Sequence, residues 1–324
     1  MNKYKKIGLS ALAGSLVAMS ASAEVTLSGG ASVTFTSTHD SDKTGYGMAD
    51  SITAKYSGET DGGLTVTTSL ELDGGANASS SFDNRSISIA SEDMGTITFS
   101  GHGGDTVMSG FDDMMPTAYE EVFAITKNKS DAATGAGNLV IAGQSGDNTW
   151  RYDSPTVSGA TFSVAYMSAD TGTAAGRIST YSDMGIKISP EAVEGLTLGY
   201  ATGEYDKSST TLGLDHTTMF ATYAYGSLTV GYQDSEIDGP TAAASDESTS
   251  WAVSYAVSDD FSVSYGQHEY EQGTNANAQE SSGFSASYTM GGTTISAAFN
   301  ETENVRGVAA NDEDSYEIAL SFAF

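Results

Sequence analysis

From Val25 to its last residue this chain keeps returning to a period of two. The closing stretch "DSYEIALSFAF" sets Tyr316, Ile318, Leu320, Phe322 and Phe324 on one side, with Glu317, Ala319, Ser321 and Ala323 on the other. Such alternation belongs to a strand with one apolar and one polar face. It recurs in "VTLSGGASVTF", "SITAKYS", "LTVTTSLEL", "RSISIA", "TITFSG" and, after a long interruption, from "NTWRYDS" onward, which predicts sixteen strands in all. The connectors alternate as well. Short ones at 59–63, 92–95, 155–159, 226–227, 258–260 and 291–292 interleave with longer polar ones at 39–47, 171–176, 239–246, 273–279 and 305–312. Antiparallel strands running up and down between two unlike rims have this pattern.

A soluble β-sandwich would bury a dense Leu/Ile/Val face against a second sheet. Here one side of each strand carries Thr, Ser, Ala and Gly, as at Thr65, Thr67 and Ser69, and the other carries single Val, Ile, Tyr or Phe. A polar inner wall around water, with the apolar set turned to lipid, fits that distribution. Tyr166, Tyr200, Tyr225, Tyr232, Tyr255, Tyr265 and Tyr288 are expected in an interfacial aromatic girdle. Mean hydropathy is −0.22, and no run after the N-terminal segment approaches the roughly 20 apolar residues of a membrane helix. The expected fold is therefore all-β, a sixteen-stranded antiparallel transmembrane barrel over residues 24–324.

Residues 1–23 read differently. Lys3, Lys5 and Lys6 precede a short apolar run and Ala21-Ser22-Ala23, the layout of a secretory signal peptide cut after Ala23. Three of the 13 Lys and Arg would leave with it, against 42 Asp and Glu that stay. So acidic a chain is not built for nucleic-acid phosphates, and it favours cations. With no cysteine, disulfides and thiolate metal sites are excluded. His39, His102, His216 and His268 show no metal-ligand spacing, and no nucleophile or phosphate-loop motif is present. A hydrolase grouping of Ser209, Asp215 and His216 can be drawn, but Ser and Asp are dense enough to make it by chance. The chain reads as a non-enzyme. If its last strand pairs with its first, no sheet edge remains and the terminus is held by closure.

One connector breaks the alternation. Residues 102–146 hold no convincing strand, yet carry Met114, Met115, Val122, Phe123 and Ile125, which a solvated loop does not need. Packed inside the barrel, these would meet the wall. Pro116 suits the first turn of a short helix, with Glu120 and Glu121 near its start. Asp112, Asp113, Glu120 and Glu121 also offer oxygen ligands for Ca2+, without a metal-loop motif to support it.

At this point the chain resembles the general bacterial outer-membrane porins, Gram-negative trimeric channels of alpha- and betaproteobacterial type. "FDNRSISIASEDMGTITFSG" at 82–101 is similar to the porin run of Phe, Arg, alternating apolars, turn and Gly-ended strand, and "RYDSPTVSGATFSVAY" at 151–166 resembles the pair after the third loop. The start "EVTLSGG" and terminal Phe324 complete the likeness. The resemblance implies a homotrimer in the outer membrane, among lipid and lipopolysaccharide, with the final Phe324 read by the barrel assembly machinery. It implies a passive diffusion channel for small hydrophilic solutes and ions, needing no cofactor, whose third loop folds inward over 102–146 and narrows the pore. Acids of that loop (Asp105, Asp112, Asp113, Glu120, Glu121) would then face basic wall residues. Lys55 and Arg151 have inward parity. Arg85, by strict alternation, shares the lipid side with Ile87 and Ile89 unless a bulge shifts it, whereas the family pattern wants it inward. So few wall cations make a cation-preferring pore the expectation. A substrate-selective barrel, or an adhesive or structural barrel with a plugged lumen, would share the strand pattern.

Overall fold

A computed structural model describes residues 24–38, 43–73, 82–125, 140–168, 180–206 and 213–324; the expected signal peptide lies outside them. Strands β1 (Glu24–Thr38), β2 (Lys43–Glu59), β3 (Thr65–Asp73), β4 (Asn84–Ser91) and β5 (Gly95–His102) precede the long connector. Within that connector, β6 (Gly104–Asp105) pairs with β7 (Ser145–Gly146) as a two-residue ladder. Beyond it come β8 (Thr149–Asp153), β9 (Ala160–Met167), β10 (Tyr181–Ile188), β11 (Leu196–Tyr205), β12 (Asp215–Tyr225) and β13 (Leu228–Asp238). The last group is β14 (Asp246–Ala256), β15 (Phe261–Gln272), β16 (Gln279–Met290), β17 (Thr293–Glu303) and β18 (Glu313–Ala323).

All but β6 and β7 close into one antiparallel barrel of sixteen strands, each beside its neighbour in sequence, with β5 meeting β8 across the long connector. β1 and β18 close the wall in register from Gly30↔Ala323 to Thr38↔Ser315. Gly29 and Phe324 extend that ladder by exchanging both backbone hydrogen bonds, at 3.1 and 3.0 Å. A side chain at Gly29 would run into the Ser51 carbonyl and the tip of the Phe324 ring, so the terminal aromatic reaches over a residue that has no side chain. Closure leaves no barrel edge unpaired, the condition for spanning lipid with strands.

Alternation sorts the two faces. On β18, Tyr316, Ile318, Leu320 and Phe322 are exposed on the outside, while Ser315 and Ala319 are buried on the inside. Cross-strand partners share a face, so Tyr265, Phe284, Phe299 and Tyr316 form an outer row across β15 to β18. The rings of Trp251, Tyr265 and Phe284 follow one another at 5.7 and 4.6 Å. Nearer the short turns a second row holds Tyr225, Tyr255, Tyr288 and Phe322, all exposed. The expected girdle is thus two rows, with Val, Ile, Leu and Ala between them.

The first hairpin differs from the sequence expectation. Residues 43–47, read as loop, belong to β2, because Thr38↔Lys43 continues the β1–β2 ladder. Glycine and Thr at Thr44, Gly45 and Gly47 hid an alternation that the partner strand enforces.

Candidate functional site

The connector after β5 is rooted by a hinge of polar contacts. His102 Nδ1 lies 2.5 Å from Asp147, and the β6–β7 ladder closes the neck. Thr106 Oγ1 donates to the Gln144 carbonyl, and Asp183 of β10 accepts from the backbone N–H of Val107 (3.1 Å) and Met108 (2.8 Å). From there the segment crosses the polar face of the wall. Gln233 of β13 accepts from Met114 N, Ser264 of β15 from Ala118 N, and Ser285 of β16 from Tyr119 N. The Tyr119 hydroxyl donates to Glu317 of β18 at 2.6 Å, and Thr36 of β1 donates to the other oxygen of the same carboxylate at 2.6 Å. A segment reaching from β10 to β18 along one face of a closed barrel lies in the lumen.

Apolar packing secures it. Val107, Met108 and Phe111 are buried with Ala201, Phe220, Ile237 and Tyr270 of the wall, and Met114 and Phe123 pack against this cluster. Phe111 meets Phe220 edge-on at 5.2 Å, and Phe123 covers His268 at 4.3 Å. Glycines on the inner face leave the room: a side chain at Gly231 would strike Pro116 and crowd Met115, and Val122 lies in ordinary contact over Gly266. Of the five apolar residues singled out in sequence, the most buried members of the cluster were not among them. Val107, Met108 and Phe111 sit in a stretch with no period to announce them.

No helix forms at Pro116. The amides of Ala118 and Tyr119, at the first turn where a helix leaves its own amides unpaired, are taken by wall hydroxyls. The wall supplies what a first turn would have lacked.

Asp105, Asp112, Asp113 and Glu121 come together. Asp112 is pushed up to about 6, first by loss of hydration and then by the negative charges of Asp105 and Glu121. Asp113 keeps part of its surface open. Its carboxyl is nonetheless raised, by desolvation first and then by a hydrogen bond and charge repulsion from Glu121. Like charges this close favour a protonated member. Glu120 and Glu121 both line a small cavity against Gln267 and His268 of β15. Among the described residues no group of three or more His, Asp or Glu side chains is arranged to hold a metal ion.

The basic residues are placed as follows. Arg151 is inward on β8, donating to the Thr106 carbonyl at 2.9 Å and to Asp153 at 3.0 Å, so it clasps the loop root and faces no loop acid. Lys55 pairs with Thr26, ten rungs along β1 from Thr36, whose neighbour Glu317 holds the loop tip. It faces the lumen well below the loop. Arg85 lies outside. It pairs with Leu70 on the outer face, is exposed, and donates to the Gly101 carbonyl. A bulge does occur beside it, but Gly101 of β5 absorbs the extra residue and Arg85 keeps its parity. Lys187, not singled out in the sequence, has the inward parity of Asp183 and Gly185 and is exposed within the barrel. Its run "SDMGIKI" sets Met184, Ile186 and Ile188 opposite Asp183, Gly185 and Lys187, so the alternation already carried the signal. Asp215 and His216, being adjacent, point to opposite faces, and Ser209 lies outside the described residues.

The loop covers the β9–β18 half of the wall. Inward residues of the opposite half, such as Ser32, Thr34, Thr53, Thr67, Ser69 and Ser88, stay partly exposed. What remains open is a passage with hydroxyls on one side and the acidic loop on the other.

These features can be set beside known proteins. A Gram-negative porin family model matches residues 8–305. Comparison with curated proteins returned no match. Among solved structures, the chain is similar to an anion-selective porin from Comamonas acidovorans at 14% identity and TM-score 0.71, covering 93% of this chain and 100% of that one. It is also similar to the trimer form of OmpT, an outer membrane protein of Vibrio cholerae, at 11% identity and TM-score 0.69, covering 94% and 100%. A Rh. blastica porin mutant aligns at 15% identity and TM-score 0.67, covering 93% and 100%. At these identities the likeness establishes the shared fold, while the family match covers most of the chain. The chain belongs to the Gram-negative porins, a family of channels and not of enzymes.

Proposed function

We propose that this porin lets small hydrophilic solutes and ions diffuse passively through the passage between its third loop and the β1–β5 wall, with a preference for cations. One observation carries the reading: Asp105, Asp112, Asp113 and Glu121 gather on the loop, opposite a wall of hydroxyls. Where an acidic loop faces arginines, the opposed charges set up a field across the pore. Here Arg151 is engaged by Asp153 and the loop root, and Lys55 and Lys187 lie away from the acids along their strands. A one-sided negative potential concentrates cations and repels anions. The anion selectivity named for the Comamonas porin belongs to that protein.

Aromatic side chains inside the barrel, including Tyr181, Phe220 and Tyr270, are buried beneath the loop rather than ranged along the passage. That argues against a substrate-selective aromatic track. The open hydroxyl half argues against a plugged structural barrel. The mature chain is taken to start at Glu24, to assemble as a homotrimer among lipopolysaccharide and outer-membrane lipid, and to present Phe324 to the assembly machinery. Its acids are taken to act as titrating carboxylates with no resident Ca2+.

The test is the reversal potential of the refolded 24–324 chain in a planar bilayer under a salt gradient. A cation-sign potential is expected, and it should shrink in the Asp112→Asn, Asp113→Asn double variant. A zero or anion-sign potential in the unsubstituted protein would overturn the reading.

A further inference from the structure

The acid pair sits in the middle of the loop's free span. Its root is tied at Val107 and Met108 and its tip at Ala118 and Tyr119. Between those ties one wall side chain supplies the hydrogen bonds. Gln233, 4% exposed on β13, accepts from Met114 N at 2.9 Å through Oε1. Its Nε2 donates to the Phe111 carbonyl at 2.6 Å and leans on the Asp112 carbonyl at 3.3 Å. The same amide is braced by Thr218 Oγ1 at 3.2 Å, whose hydroxyl is held by Ser235 at 2.7 Å.

We propose that Gln233 is the positioning residue that sets the pore's charge selectivity, by gripping the loop backbone on both sides of Asp112–Asp113 and so fixing where those two carboxyls stand. The proposal rests on the reading of that pair as the selectivity acids. Only a side chain with a donor and an acceptor at one end can hold a carbonyl and an N–H three residues apart. A serine or threonine, common elsewhere on this wall, is too short to span them. A buried carboxylate in its place would lose the donor and repel Asp112. With the grip gone, the backbone between Phe111 and Met114 leaves buried groups unpaired and is free to shift. Coulomb energy falls with distance, so carboxyls that wander from the passage and from each other lose both their hold on cations and their mutual pKa displacement.

The experiment compares four refolded proteins in planar bilayers: the unsubstituted chain, Asp112→Asn with Asp113→Asn, Gln233→Met, and Gln233→Asn. Met matches the length without either hydrogen bond; Asn keeps both groups but stands one methylene short, so it decides the question if the Met variant fails to fold. Reversal potentials are read from pH 4 to pH 9. The expected result is that both Gln233 variants move the potential toward zero, in the direction of the double variant and by less than its full shift, since Coulomb energy falls with distance. The pH midpoint of the preference should also fall toward the ordinary carboxylate range, as the pair loses burial and mutual repulsion. A shifted double variant with both Gln233 variants unchanged overturns the proposal for Gln233 alone. An unchanged double variant overturns the acid-pair reading, and this proposal with it.

Discussion

Asp112, Asp113 and Glu121 are ordinary residues in an unusual crowd. Burial and mutual repulsion hold Asp112 up to about 6 and Asp113 higher still. Two consequences follow with opposite signs. The negative charge of the passage grows as pH rises, so cation preference should fall between pH 8 and pH 5, most steeply near pH 6, where reversal potentials would record it. Stability runs the other way. A carboxyl raised in the folded state binds protons that the unfolded chain has released, so its contribution is full below the ordinary carboxylate pKa and is lost as pH climbs through 6 and beyond. The thermal midpoint should therefore be higher at pH 5 than at pH 8, and the difference should narrow in the Asp112→Asn, Asp113→Asn variant. In the sequence these acids could be collected as a set. Which of them crowd together could not be read, because Asp105, Asp112 and Glu121 are separated along the chain and only the folded loop brings them near one another.

The loop is held as an element by borrowed partners. Its amides go to Asp183, Gln233, Ser264 and Ser285, and its tip is locked where Glu317 receives both Tyr119 and Thr36. That carboxylate joins the loop to the two strands that close the barrel. Tyr119→Phe removes one charge-assisted hydrogen bond, an interaction of about 1.5–3 kcal/mol, and leaves the ring. Single-channel records of this variant should show larger open-state current fluctuations at unchanged cation preference. A quiet trace would mean that Ser264 and Ser285 suffice to hold the tip. The sequence pointed to a helix at Pro116 because Pro and following acids favour a first turn. The wall hydroxyls that displaced it lie more than a hundred residues away, beyond the reach of any local pattern.

At the scale of the whole barrel, the two aromatic rows bound a lipid-facing band, and Ile318 of β18 lies between Tyr316 and Phe322 within it. Ile318→Lys should cost about 2–4 kcal/mol, the penalty for a cation on the lipid face near mid-depth. Ser321→Lys, three residues on and inward, should cost far less, because its ammonium enters water. Urea unfolding of the two variants in vesicles would separate them.

Strand number, the sense of each face, the inward parity of Lys55 and Arg151 and the seam at Phe324 were all determined by the sequence alone, since period two is written residue by residue and closure follows from having an apolar outer face. The tertiary structure decided the rest: that Arg85 stays outside because Gly101 takes up the bulge, and that the loop is seated on Gly231 and Gln233. The physical reason is range. Alternation is a local property of neighbouring side chains, whereas the course of a loop through the lumen depends on hydrogen bonds and voids supplied by strands that meet it only once the barrel has closed.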